Sequence, residues 1–183
     1  MSLKTDEQLA LETSKNKEAF GELVERYSEK IHYYIARLIG SFQEAEDTTQ
    51  DVFIKAYENI ASFNSKLKFS SWLYRIAHNE AVNFIKKNYR YKKVEYNEDI
   101  ENHQIESEDL ILKIIKNENA KEVHNALLKL KTSEKEVLQL YYFEDKKYVE
   151  ISDILQISIN SVGPKIKRAK DKLKKIIENE QKT

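Results

Sequence analysis

Residues 44–60 read EAEDTTQDVFIKAYENI, and their pattern decides the fold. Ala45, Thr49, Val52, Phe53, Ala56, Tyr57 and Ile60 recur at steps of three and four, which places them on one stripe of an α-helix. Glu46, Asp47, Gln50 and Asp51 fall on the opposite face. Such a stripe needs a partner surface, and the flanking sequence supplies two. Upstream, Phe20, Leu23, Val24, Tyr27, Ile31, Ile35 and Leu38 trace a second amphipathic helix that stops near Gly40. Downstream, a short polar connection from Asn64 to Lys68 leads to a third helix through Trp72, Leu73, Ile76, Ala77, Val82, Phe84 and Ile85. That helix runs into the basic string KKNYRYKK, residues 86–93.

Beyond it the helical period fails. From Val94 to Ser107 acidic residues and asparagines dominate, a composition that suits a flexible linker, and Leu110, Ile111, Ile114 and Ile115 reopen a helical pattern. A second group of short helices follows. One joins Val123, Leu127 and Leu130. Another is expected to start at Ser133, with Glu136 three residues on in a capping-box spacing, and to continue through Val137, Leu138, Tyr141 and Tyr142. A short helix covers Val149 to Leu155, and a basic one runs from about Ser161 to Ile177. The expected layout is therefore all-α: a helical domain over residues 1–93, an acidic linker over 94–122, and a second helical domain over 123–183.

Composition agrees with this division. The chain has 183 residues, only three Gly and one Pro, too few for a turn-rich β protein. There is no Cys, hence no disulfide framework and no thiolate metal site. No run approaches the length of apolar sequence that spans a bilayer, and the opening MSLKTDEQLALE is acidic where a signal peptide is apolar, so a soluble, cytoplasmic protein is expected. Net charge is zero, but only as an average. Residues 65–93 carry eight basic side chains against one acidic, and residues 160–183 carry eight against three. Residues 1–62 and 94–122 are acidic, with seven basic against twelve acidic and three against nine. Segregated charge repels itself and favours a partner of opposite sign.

The residues offer little to catalysis. His32, His78, His103 and His124 lie far apart, outside any metal-ligating pair. The three glycines do not form a phosphate-cradling loop, and there is no nucleophile elbow. No enzymatic activity, cofactor or metal is expected. Binding signals are stronger. From Tyr148 to Lys175 a short helix, a turn and a basic helix make a helix-turn-helix pattern. In it Ile151, Ile154 and Leu155 would pack on Val162, Ile166 and Ala169, leaving Lys165, Lys167, Arg168 and Lys172 mostly outward. A helix of this kind fits the major groove, reaching bases from its N-terminal end and phosphates with Lys and Arg. The other basic block interleaves cations with rings: Phe63, Lys66, Lys68, Phe69, Trp72, Tyr74, Arg75, then Lys86, Lys87, Tyr89, Arg90 and Tyr91. Stacking surface beside backbone-tracking charge suits unpaired DNA strands. Trp72, at helical spacing from Ile76, belongs in the core; Phe63 and Phe69 flank the short loop and are candidate platforms.

Three strings taken in order, EAEDTTQDVFIKAYENI, FNSKLKFSSWLYRIAHNEAVNFIKK and LKTSEKEVLQLYYFEDKKYVEISDILQISINSVGPKIKRAKDKL, resemble the second and fourth regions of sigma-70 family RNA polymerase sigma factors. The two-region layout is similar to the extracytoplasmic-function (ECF) group. The resemblance implies binding to core RNA polymerase, through the clamp helices of its largest subunit and the flap of the second largest, and promoter-specific initiation without a cofactor. It places Glu46, Asp47, Gln50 and Asp51 on the clamp helices. It places Phe63, Asn64, Lys66, Lys68, Phe69, Ser70, Asn79, Asn83, Lys86 and Lys87 at the −10 element, and Asn160, Ser161, Lys165, Lys167 and Arg168 at the −35 element. It also implies an anti-sigma factor as a partner, and no membrane contact of the chain's own.

Two departures from the family pattern carry expectations. Gly163 and Pro164 stand where a basic and a small polar residue are usual, so the last helix is expected to start late, at Val162 behind Ser161, keeping Pro164 in its first turn. Gln156 replaces a frequent turn glycine, so that turn is expected to avoid positive φ. Two other readings use the same residues: a stand-alone helix-turn-helix regulator, and a helical adaptor whose basic faces meet acidic proteins.

Overall fold

In the computed structural model, which describes residues 4–95, 123, 125–127 and 129–180, helices and their connections make up the whole of the described chain. Thr5 and Gln8 form a capping box that starts α1 (Asp6–Glu12). Asn16 accepts the Glu18 N–H at 3.0 Å and opens α2 (Lys17–Ile39). Gly40, at φ 85°, ends α2, and Ser41 immediately caps α3 (Phe42–Asn59), accepting the Glu44 N–H at 3.2 Å. A left-handed glycine followed by an N-cap serine makes a tight helix reversal. A 3-10 turn, Ile60–Ser62, and the loop 63–68 then lead to α4 (Phe69–Glu95).

These helices form one compact unit within residues 1–97. α2 packs on α3, α4 and α1, burying Leu23, Ile31, Tyr34 and Ile35 against Val52, Ala56, Leu73, Tyr74 and Ala77. The rings of Tyr34 and Tyr74 meet edge-on with centroids 5.1 Å apart. The expected stripe of α3 goes inward at Ala45, Thr49, Val52 and Ala56, whereas Tyr57 stays exposed and meets Phe20 edge-on. α1, which the sequence pattern did not announce, adds Leu9 and Ala10 to the core.

The second unit has α5 (Thr132–Tyr142), α6 (Tyr148–Leu155) and α7 (Ile159–Glu180), with residues 123 and 125–127 also helical. Its core is Ala126, Leu130, Val137, Leu138, Leu140, Ile151, Val162, Ile166 and Ala169. α5 lies against α7, pinned by Glu134 to Lys172 at 2.8 Å.

Three local expectations are corrected. α5 starts at Thr132 rather than Ser133: the Glu134 carboxylate accepts the Lys131 N–H at 3.0 Å, so the cap is Lys131, two residues earlier, and Glu136 is buried instead. α7 starts at Ile159, three residues before the expected site, where Ser161 donates its N–H to the Ser158 carbonyl at 2.8 Å. Pro164 therefore sits in the second turn, where it leaves the Asn160 carbonyl without its usual partner. Gln156 does adopt positive φ, 52°, because α6 ends in a left-handed cap whose N–H reaches Ser152. Ser152 also donates its hydroxyl to the Ile157 carbonyl at 2.6 Å, tightening the turn. The expected acidic linker, apart from Val94 and Glu95, lies outside the described residues, as does the helical pattern at 110–115. No helix among the described residues is long and apolar enough to cross a membrane.

Candidate functional site

The candidate contact residues lie on three exposed surfaces. On α3, burial of Ala45, Thr48, Thr49, Val52 and Ala56 turns Glu46, Asp47, Gln50 and Asp51 outward, and all four are exposed. None of them forms an ion pair or side-chain hydrogen bond among the described residues. Asp47, Gln50, Asp51 and Ile54 succeed one another at helical spacing, so the acidic stripe carries an apolar residue: Ile54 is 56% exposed. Sequence reasoning missed Ile54. The available signal was an isoleucine off the buried stripe of its own helix. Carboxylates of this kind set encounter and register, and an exposed apolar side chain among them supplies area to bury.

The second surface is the loop before α4. Asn64 shapes it twice, accepting the Lys66 N–H on its side chain at 3.0 Å and the Leu67 N–H on its carbonyl at 2.9 Å. Asn64, Lys66 and Lys68 are exposed, and so is Leu67, at 54%. Ser70 is half-buried. Phe63 and Phe69 are a correction: both are buried, at 8% and 1% exposure, so neither ring offers a stacking face. They close on Trp72 as a cluster, with centroid separations of 5.6 Å for Phe63–Phe69, 5.6 Å for Phe63–Trp72 and 5.7 Å for Phe69–Trp72. Apolar area and edge-on ring geometry explain why both ends of the loop are drawn inward while its polar tip stays out. Along α4, Asn79, Asn83, Lys86 and Lys87 are exposed, and their spacing sets them on one face. The side chains of Tyr89, Arg90 and Tyr91 are not among those described.

The third surface is α7. Burial of Val162, Ile166 and Ala169 leaves Asn160, Lys167, Arg168, Lys170, Lys174 and Lys175 exposed. Lys165 and Ser161 are half-buried, less outward than expected. Arg168 donates Nε to the Pro164 carbonyl at 3.2 Å, which steadies the guanidinium along the helix. Lys172 is not an outward cation: it bonds Glu134, whose carboxyl is held below its ordinary pKa chiefly by that bond. The Tyr148 ring from α6 covers Gly163.

Residues 23–91 match the family described as Sigma-70 region 2, and residues 120–173 match Sigma-70, region 4. The chain is 33% identical over 171 residues to the ECF RNA polymerase sigma factor SigW of Bacillus subtilis, covering 87% of this chain and 89% of that one. It is 30% identical over 175 residues to the ECF RNA polymerase sigma-E factor of Escherichia coli K12, covering 91% of each. Among solved structures, CnrH in complex with the cytosolic domain of CnrY aligns with a TM-score of 0.70 at 24% identity, over 96% of this chain and 99% of that one. The sigma factor RpoE of Bartonella quintana, crystallised with the anti-sigma factor NepR, aligns with a TM-score of 0.68 at 21% identity, over 87% and 96%. These two likenesses describe the fold. The family matches and the curated relatives show that the chain belongs to the sigma-70 family of RNA polymerase sigma factors, in its ECF group.

Proposed function

We propose that this chain binds core RNA polymerase through the exposed stripe of α3, with Glu46, Asp47, Gln50, Asp51 and Ile54 meeting the clamp helices of the largest subunit. The loop Asn64–Lys68 and the Asn79, Asn83, Lys86 and Lys87 face of α4 contact the −10 element. Phe63 and Phe69 act as anchors of that loop from inside, and Ser70 ties its C-terminal end. Asn160, Lys165, Lys167 and Arg168 on α7 contact the −35 element, with Ser161 close to the start of that helix. Residues 1–93 are then the polymerase-binding and −10 domain, 94–122 the linker and 123–183 the −35 domain. The second domain meets the flap of the second-largest subunit. The protein performs no covalent chemistry. Strand opening draws on binding energy that offsets the few kcal/mol needed to unstack a base. It works in the cytoplasm, where a partner of the anti-sigma class restrains it.

One observation carries this reading: the α3 carboxylates are exposed without intramolecular partners among the described residues, while a different unit of the chain exposes Lys167 and Arg168 on a helix of major-groove width. A lone regulator needs only the second of these surfaces. A gel shift on promoter duplex, run with and without core polymerase, separates the two. The proposal expects weak binding by the chain alone and a stable complex when core enzyme is added. Tight, core-independent binding would contradict it.

A further inference from the structure

The first turn of α4 begins with an N–H that no residue of its own helix can satisfy, because the initial amides of a helix have no acceptor one turn back. In this chain the acceptor for Phe69 comes from 62 residues away: Glu7 Oε1 on α1 takes the Phe69 N–H at 3.1 Å. The neighbouring Asp6 bonds both Arg26, at 2.6 Å, and the phenol of Tyr27. Tyr27 continues to the loop side, where its ring meets that of Phe69 edge-on at 5.8 Å. Arg26 is held in turn by Glu22. Two adjacent carboxylates of one short helix thus converge on Phe69, the residue that closes the exposed loop 64–68, Glu7 directly and Asp6 through Tyr27. α1 bears none of the exposed carboxylates of α3.

We infer that α1 is a brace for promoter opening, with Glu7 as a positioning residue that caps α4 and, together with the Asp6–Tyr27–Phe69 contacts, fixes the pose of the Asn64–Lys68 loop before DNA arrives. This rests on the initiation reading above. A loop fixed in advance loses less conformational entropy when it captures an extruded base. The side chain acts through its acceptor oxygen rather than through contact with DNA. Glu7→Gln keeps a carbonyl acceptor for the Phe69 N–H and should keep the function, whereas Glu7→Ala leaves the amide uncapped.

The test uses full-length chain assembled with core polymerase on a promoter mapped with the wild-type protein. Three quantities are compared: affinity for core enzyme, thermal midpoint, and permanganate reactivity of unpaired −10 thymines on duplex and on a template with the −10 bases already mismatched. Glu7→Ala should leave core affinity within about twofold and reduce duplex opening about fivefold, the scale of a lost helix cap. The mismatched template should restore most of that loss, and Glu7→Gln should behave as wild type. Wild-type opening by Glu7→Ala would overturn the inference. So would an equal loss of core affinity, or a Gln variant as impaired as the Ala variant. Absence of any transcript from the wild-type holoenzyme is a different failure, because it removes the initiation reading and the inference with it.

Discussion

The ring of Tyr148 lies directly over Gly163, close enough that a methyl group at residue 163 would sit 3.3 Å from Tyr148 Cε2. This contact joins the first helix of the helix-turn-helix to the early part of the second. It also explains how a glycine is accommodated inside α7: the ring covers the backbone that a missing side chain exposes. Tyr148 is 42% exposed and can swing outward. Replacing glycine by alanine in a helix is worth about 1 kcal/mol, so Gly163→Ala should raise stability slightly, by less than that amount, once the ring shifts. Urea denaturation checks it. A loss above about 1 kcal/mol would mean that the ring is pinned.

Gly21 offers the control. It lies exposed in α2, where an added Cβ would meet nothing within 4 Å, and its backbone angle is ordinary. Gly21→Ala should therefore realise nearly the full gain of about 1 kcal/mol. The thermal midpoint of the purified chain is the measurement, and no increase would contradict the account of α2 as an ordinary exposed helix there.

The turn at Gln156 stores the opposite opportunity. A glutamine in left-handed geometry, φ 52° and ψ 46°, costs roughly 1–2 kcal/mol relative to glycine in that region. Gln156→Gly should recover about 1 kcal/mol, the remainder being offset by the glycine's greater freedom in the unfolded chain. Denaturant titration with the slope held constant would show it as a midpoint shift; an unchanged or lower midpoint would sink the claim.

How far the sequence discloses this molecule depends on the range over which each feature is determined. Gly40 followed by Ser41, and the apolar stripe from Ala45 to Ala56, are local, and the helices they specify are found where the pattern puts them. The start of α7 is not so local. Pro164 alone argues for a late start, yet the Ser158 carbonyl and the buried Val162 hold the helix from Ile159. The inward packing of Phe63 and Phe69 depends on Trp72 and Tyr27 arriving together, and the cap on Phe69 comes from Glu7, far away in the chain. Those are tertiary facts, invisible to periodicity. Among candidate site residues, the charged positions other than half-buried Lys165 were legible because solvation keeps them out. The exposed Ile54 and Leu67 were obscured because apolar residues are assigned inward by default.

Lys135 predicts a pH dependence. Burial pushes its ammonium down to about 8, with Glu136 opposing. Between that value and its ordinary 10.5, the unfolded chain retains a proton that the folded chain has released. Stability from this group therefore rises with pH across that window. Lys135→Met should stabilise the protein at pH 7, with the gain fading as pH approaches 10.5. Paired urea melts at neutral pH and near the upper end of that window read the difference, and a loss of stability equal at both would contradict the burial account.

The two binding surfaces should separate by mutation. Asp51→Ala and Ile54→Ala ought to weaken core polymerase binding and spare DNA contacts. Lys167→Ala ought to leave core binding intact and, as a phosphate contact, lower the slope of log affinity against log salt for the holoenzyme by about 1. Equilibrium titrations at several salt concentrations provide both numbers. Equal loss of core binding from all three changes would indicate misfolding rather than separate surfaces.

On the reading proposed above, this chain gives promoter choice to a polymerase that lacks it. Transcription by core enzyme freed of its own initiation subunit, with and without the purified chain, on genomic template and with transcript 5′ ends sequenced, decides the matter. Discrete 5′ ends that share upstream sequences and require the chain are the expected result. Transcripts unchanged by the chain, in start site and in amount, would contradict it.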